Sequence, residues 1–302
     1  MALARPDVLV LGGGGVLGEA WLRACLAGVE AETGWDLRDC DAFVGTSAGS
    51  IVAATLAAGR RPEAAPDLPE PPRTAPTAAR SGPPLIPRPV RRAVEGSLNA
   101  VVPALSAGIA PAGAAVRAAA LRRGPRATRE IPHLGAALER MAATFDGRLR
   151  VTAVDADSGK RVVFGAPGAP DAEVSDAVLA SCAVPWMFRP VAIGGRTYVD
   201  GGVWSAANLD VAPVTRGSQV LCLNPTASPR LAVDRLGAVR ALARTSAAAE
   251  ALALKRRGAR VRIVAPDAAT VEAIGPDLFT PGRRRQVEAA GHAQGRAIAS
   301  AA

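Results

Sequence analysis

Histidine is nearly missing from this 302-residue chain; only His133 and His292 occur. Any histidine-assisted nucleophile would therefore have to recruit one of those two. Cysteine is scarce as well. Cys25, Cys40, Cys182 and Cys222 form no C-x-x-C pair, which argues against a zinc ribbon or a dithiol redox motif. Reduced, buried thiols in a cytosolic protein are the expectation. Aromatic residues make up 3% of the chain, too few for a surface that stacks bases, so nucleic acid is not an expected partner. Long apolar runs are wanting too. Residues 96–116 carry no charge, but Pro103 and Pro111 interrupt them, so no membrane-spanning helix is predicted. The first residues lack the charged-then-apolar order of a secretory leader, and a cytoplasmic location is expected.

Small apolar side chains are what the chain has in abundance. Apolar residues reach 49%, mostly Ala, Val and Leu, enough for a substantial core with close helix–sheet packing. The formal net charge is +9, which favours anionic partners. Twelve arginines against five acids fall within residues 60–130. Proline is frequent from Pro62 to Pro89, a density no packed element accommodates. Residues 60–130 are therefore expected to be a lid-like or disordered insertion in one domain spanning 1–302. Their arginines could touch an anionic membrane at its inner face. A passive Arg- and Ala-rich loop is the other reading.

The rest of the chain alternates strand and helix signals. Val8–Leu11 is a continuous apolar run bounded by glycines, as in a buried parallel strand. A helix is expected from about Gly18 to Thr33, a strand at 41–44 and a helix from about Ser50 to Gly59. Arg148–Val154 and Lys160–Phe164 flank Asp157-Ser158-Gly159, a hairpin signal. A short helix over 176–183 and strands ending at Val199 and spanning Gln219–Leu223 come next. A helix over 231–258, a strand over 260–264 and a closing helix over 283–300 complete an α/β pattern.

Three glycine-punctuated motifs carry the chemistry. Gly45-Thr46-Ser47-Ala48-Gly49 lies between an apolar strand and a helix, the setting of a nucleophile elbow. The helix after it directs its positive end at the serine. Gly12 to Gly15, with Gly18, succeed the first strand. They also fit G-x-G-x-x-G, but the acid that dinucleotide binding wants about 20 residues later is not at the end of the second strand. Backbone amides of Gly13, Gly14 and Gly15 suit an oxyanion hole better. Asp200-Gly201-Gly202 places a carboxylate at a strand end where it could approach a serine closely. With so few histidines, a Ser47–Asp200 dyad is the simpler arrangement, the carboxylate taking the serine proton directly. A Ser-His-Asp triad using His133 or His292 stays open.

In this order, Gly13–Gly18, Gly45–Gly49 and Asp200–Gly202 resemble the patatin-like phospholipase family. Ala180-Ser181-Cys182-Ala183-Val184-Pro185, Phe188-Arg189-Pro190 and the Asp155–Gly159 turn are similar to its bacterial members. The resemblance spans about residues 7–60 and 148–225. It implies a three-layer α/β/α fold with a mainly parallel central sheet, a serine lipid acyl hydrolase acting on lipid esters through Ser47 and Asp200, and no cofactor or metal. Gly18, Gly45, Gly49, Gly201 and Gly202 would shape the motifs. One position departs. Where the family's glycine loop carries Arg or Lys, this chain has Leu17. The departure points toward a simpler ester or lysolipid. Two alternatives stay open: a catalytically inactive relative acting as a membrane-binding or regulatory protein, and a Rossmann-type nucleotide-binding protein.

Overall fold

The computed structural model describes residues 3–64, 111–124, 127–228, 237–275, 278–279 and 281–300. Its strands are β1 (Val8–Leu11), β2 (Ala42–Thr46), β3 (Leu149–Asp155), β4 (Arg161–Phe164), β5 (Val191–Ile193), β6 (Arg196–Asp200), β7 (Gln219–Leu223) and β8 (Arg260–Val264). Its α-helices are α1 (Gly15–Thr33), α2 (Ala48–Ala57), α3 (Pro111–Arg123), α4 (Pro132–Met141), α5 (Val174–Cys182), α6 (Gly237–Arg256), α7 (Ala268–Ile274) and α8 (Arg284–Ser300).

The strands form one sheet in the order β5-β6-β3-β2-β1-β7-β8, with β4 paired to β3 off this path. Pairing is parallel from β3 through β2, β1 and β7 to β8, and antiparallel among β3, β4, β5 and β6. Alternation along the strands explains the layers. Leu9, Leu11, Phe43, Val151 and Leu221 point to one face, into a core shared with Trp21, Leu22, Leu26, Ile51 and Val178. Val8, Val10, Val44, Val220 and Cys222 point to the other, where Ala251 and Leu254 of α6 cover them. Both faces are covered, so the central strands read as unbroken apolar runs. This is the expected mainly parallel three-layer α/β/α arrangement.

The register of β3 brings two distant parts of the chain together. Val151 and Thr152 pair with both β2 and β4, while Ala153 and Val154 pair with both β4 and β6. A strand has two edges. With β4 on one of them, β2 and β6 must share the other, end to end. Thr46 is opposite Thr152, and Asp200 is opposite the very next residue, Ala153.

Several boundaries differ from expectation. Helix α1 begins at Gly15 rather than about Gly18, so the glycine loop itself forms its first turn. Strand β5 and helix α7 had no sequence signal: β5 has three residues, and α7 has seven. The Pro-rich residues 65–110 lie outside the described residues, as do 229–236 of the helix expected over 231–258. Within the described part of the arginine-rich stretch, α3 packs against the turn after β3. Arg117 is 2% exposed, donates to the Gly159 carbonyl at 2.9 Å and stacks over Trp204. That arginine serves the fold's interior rather than a membrane. All four cysteines are buried and unpaired.

The nucleophile-elbow glycines are fixed by close packing. A Cβ on Gly49 would lie 2.0 Å from the Leu11 carbonyl oxygen, and one on Gly45 would lie 2.4 Å from Ser50 Cα. Both obstacles are backbone and cannot rotate away. Gly49→Ala should therefore cost at least about 1–3 kcal/mol, or prevent folding. Gly282→Ala, where nothing lies within 4 Å, serves as the control. Thermal melts followed by circular dichroism compare them, and an unshifted Gly49→Ala midpoint would contradict this packing.

Candidate active site

Ser47 comes directly after β2 and caps α2. Its backbone sits at φ 51° and ψ −123°, a conformation that L-residues rarely hold without surrounding constraint. The constraint is visible. Its N–H donates to Ser181 Oγ at 2.8 Å, and its carbonyl accepts from the Ser50 N–H and Oγ at 2.8 and 2.6 Å. Ser181 comes from the end of α5, whose Cys182 also meets Ser50. The side chain of Ser47 is left to face Asp200.

Asp200 is the last residue of β6 and is 5% exposed. One of its oxygens accepts the Gly202 N–H at 2.7 Å. Burial drives its pKa up, to about 6, while hydrogen bonds from the Ser47 side chain and the Gly202 amide hold it down. The carboxyl group thus lies beside the serine hydroxyl and keeps its proton up to about pH 6. Gly201 must be glycine because a Cβ there would come within 2.5 Å of Thr152 on β3.

The glycine loop closes the third side. A Cβ on Gly13 would sit 3.3 Å from Ser47 Cβ. The structure corrects one expectation here. The Gly13 N–H donates to the Ala206 carbonyl at 2.8 Å, so it is already committed. Gly14 and Gly15 stand at the N-terminus of α1, where backbone N–H groups lack intrahelical acceptors. Their N–H groups have no acceptor among the described residues. Pro225 packs against Gly14 and Gly18, and the Leu278 carbonyl accepts the Leu17 N–H, so the loop is clamped from both sides. Leu17 itself is fully buried in the core. No cation could occupy that position without being desolvated.

His133 on α4 and His292 on α8 are both exposed, and neither is among the hydrogen-bond partners of Ser47 or Asp200. A cavity of about 270 Å³ lined by Ile131, Leu179, Ala183 and Val191 lies nearby. Its link to the site is Ala183, whose carbonyl accepts the Asp200 N–H at 3.0 Å. Sequence reasoning missed Ser181 and a second neighbour, Asn208, whose amide reaches the residues next to both Ser47 and Asp200. An isolated Ser or Asn in a helix or turn carries no pattern that would single it out.

The parallel strands β1 and β2 thus end beside a serine elbow, a buried acid and a glycine loop. The model of the patatin-like phospholipase family matches residues 9–213, about two thirds of the chain, and the protein belongs to that family. No curated protein matches it in sequence. Among solved structures it is similar to VipD from Legionella pneumophila at 14% identity and a TM-score of 0.45, over 99% of this chain and 68% of that one. It is also similar to the type III effector protein ExoU at 17% identity and a TM-score of 0.41, over 99% of this chain and 54% of that one.

The raised pKa has a consequence for stability. The folded state holds the Asp200 proton more tightly than the unfolded chain does, so ionisation penalises the native state. That penalty is absent below about pH 4, grows as pH rises and is complete above about pH 6. Asp200→Asn removes it. The variant should be more stable than the parent at pH 8, by up to about 3 kcal/mol, with the gain vanishing toward pH 4. Paired urea melts across this range measure it, and a difference independent of pH would contradict the assignment.

Proposed function

We propose that the chain is a serine lipid acyl hydrolase in which Ser47 Oγ attacks an ester carbonyl and Asp200 accepts its proton. The observation that carries this reading is the buried Asp200 carboxyl group held beside the elbow hydroxyl, with a pKa near 6. At that value the group is ionised at neutral pH yet basic enough to accept a proton, as general-base catalysis favours. In the first step the Ser47 O–H proton passes to Asp200 as the new C–O bond forms. The tetrahedral oxyanion is held by the Gly14 and Gly15 amides, aided by the N-terminal end of the α1 dipole. Gly13 forms the wall against Ser47. As the intermediate collapses, Asp200 returns the proton to the leaving alcohol. Water activated by Asp200 then releases the acid from the acyl-serine and restores the dyad.

Family membership supports a lipid ester as substrate. With Leu17 turned into the core, position 17 supplies the glycine loop with no cation, a departure that favours simple esters or lysolipids over strict phospholipid preference. In this reading 1–302 form one hydrolase domain that carries residues 60–130, largely outside the described residues, as an insertion, lid-like or passive. Among the described residues no helix is long and apolar enough to cross a membrane. Access to lipid would be peripheral, with the inner membrane face as the surface approached.

The test is hydrolysis of a series of p-nitrophenyl esters and lysophospholipids, with a fluorophosphonate probe in parallel. The parent should label at Ser47. Ser47→Ala should abolish labelling and turnover, and Asp200→Asn should lower kcat by about 10²–10⁴-fold. The parent kcat should rise with pH through about 6 as Asp200 loses its proton. A folded parent that neither labels nor turns over any ester would overturn the reading in favour of an inactive relative.

A further inference from the structure

The Ser47–Asp200 pair depends on two strand ends, those of β2 and β6, that no ladder joins to each other. β2 and β6 abut on one edge of β3 without pairing to each other. One side chain lies across the gap. The Asn208 amide Nδ2 is within hydrogen-bonding distance of Thr46 Oγ1 (3.1 Å), Thr152 Oγ1 (3.2 Å), the Gly201 carbonyl (3.3 Å) and the Ser205 carbonyl (2.6 Å). Thr46 immediately precedes Ser47, Gly201 immediately succeeds Asp200, and Thr152 is the β3 residue opposite Thr46. The same group thus touches β2, β3 and the turn that follows β6 at their junction. Thr46 and Thr152 are themselves 2.8 Å apart through their hydroxyls.

Asn208 is held there firmly. It is fully buried, at φ 51° and ψ 39°, a left-handed conformation that Asn tolerates better than most residues. Its N–H donates to Ser205 Oγ at 3.2 Å, and its Oδ1 accepts from Arg161, which also grips both Asp210 oxygens at 2.7 Å. The next residue, Leu209, donates its N–H to the Glu250 carboxylate on α6 at 2.8 Å. An amide with this many fixed neighbours in a low-dielectric interior has one stable orientation.

We propose that Asn208 is a positioning residue of the site. Its side-chain amide ties the end of β2 to the turn after β6 and so sets the approach of Ser47 to Asp200. This rests on the hydrolase reading above and adds to it a residue that touches neither substrate nor the reacting atoms.

The test uses Asn208→Asp and Asn208→Gly, both compatible with the left-handed backbone. Each removes the Nδ2 donors. Both should fold, bind substrate with unchanged KM and show kcat and fluorophosphonate-labelling rates lowered about 10–100-fold. Thr46→Val removes one acceptor at nearly constant volume. Combined with Asn208→Asp, its loss should be much less than additive, because both changes break the same bridge. A purely structural role predicts lowered melting temperature with kcat preserved in the folded fraction, or losses that add, and either result overturns the proposal. If the Asn208 variants fail to fold, Thr46→Val and Thr152→Val should each still lower kcat at unchanged KM, and parent rates in both would overturn it. Failure of the underlying reading looks different, because the parent itself would then fail to label, or Ser47→Ala would retain the parent's labelling.

Discussion

Two strand ends compete for one edge of β3, and the site exists because neither displaces the other. β2 runs parallel to β3 and stops at Thr46; β6 runs antiparallel and stops at Asp200. Their partners on β3, Thr152 and Ala153, are adjacent in sequence. The chain must therefore leave the sheet at both places, once as the strained Ser47 elbow and once as the Asp-Gly-Gly turn. The rest of the site keeps these exits close. Gly201 lets its turn press against Thr152, Gly49 lets α2 press against the end of β1, and Ser181 holds the Ser47 amide. A carboxylate introduced at such a junction is stripped of water, which explains both its raised pKa and its cost to stability.

Much of this was legible in the sequence. Glycines at 45, 49 and 201 announce places where backbone meets backbone, and the structure supplies the obstacle at each. Apolar runs such as Val8–Leu11 announce strands covered on both faces. The dyad of Ser47 and Asp200 was expected, but the strand register that builds it could not be read. Ser47 and Asp200 are far apart in the chain, and only β3's register makes them neighbours. The three-residue β5 is too short to show alternation, and it forms because β6 offers it an edge. Helix α1 starts earlier than its first good helix former because Gly14 and Gly15 are clamped by Pro225 and the Leu278–Phe279 segment, a tertiary constraint overriding local propensity. Gly13's engagement with Ala206 was equally hidden, since Ala206 lies in the turn beyond Asp200.

Charge placement obeys a comparable constraint. The arginine-rich composition suggested a surface patch, yet Arg117 is buried over Trp204, and Arg161 is engaged with Asp210 and Asn208. Leu17 sits where a charge would have to be buried in an apolar core. These facts share one logic: Arg117 and Arg161 are taken inward where a carbonyl, a carboxylate or a ring receives them. The glycine loop offers amides instead, at the N-terminus of α1.

A crystal structure of the protein after reaction with a small alkyl fluorophosphonate tests the central claim most directly, because the adduct freezes the tetrahedral geometry. The account predicts phosphorus bonded to Ser47 Oγ, the phosphoryl oxygen within about 3 Å of the Gly14 and Gly15 nitrogens, and the Asp200 carboxyl beside the bonded oxygen. An adduct on another residue, or a phosphoryl oxygen turned away from the glycine loop with Asp200 out of reach, would contradict it.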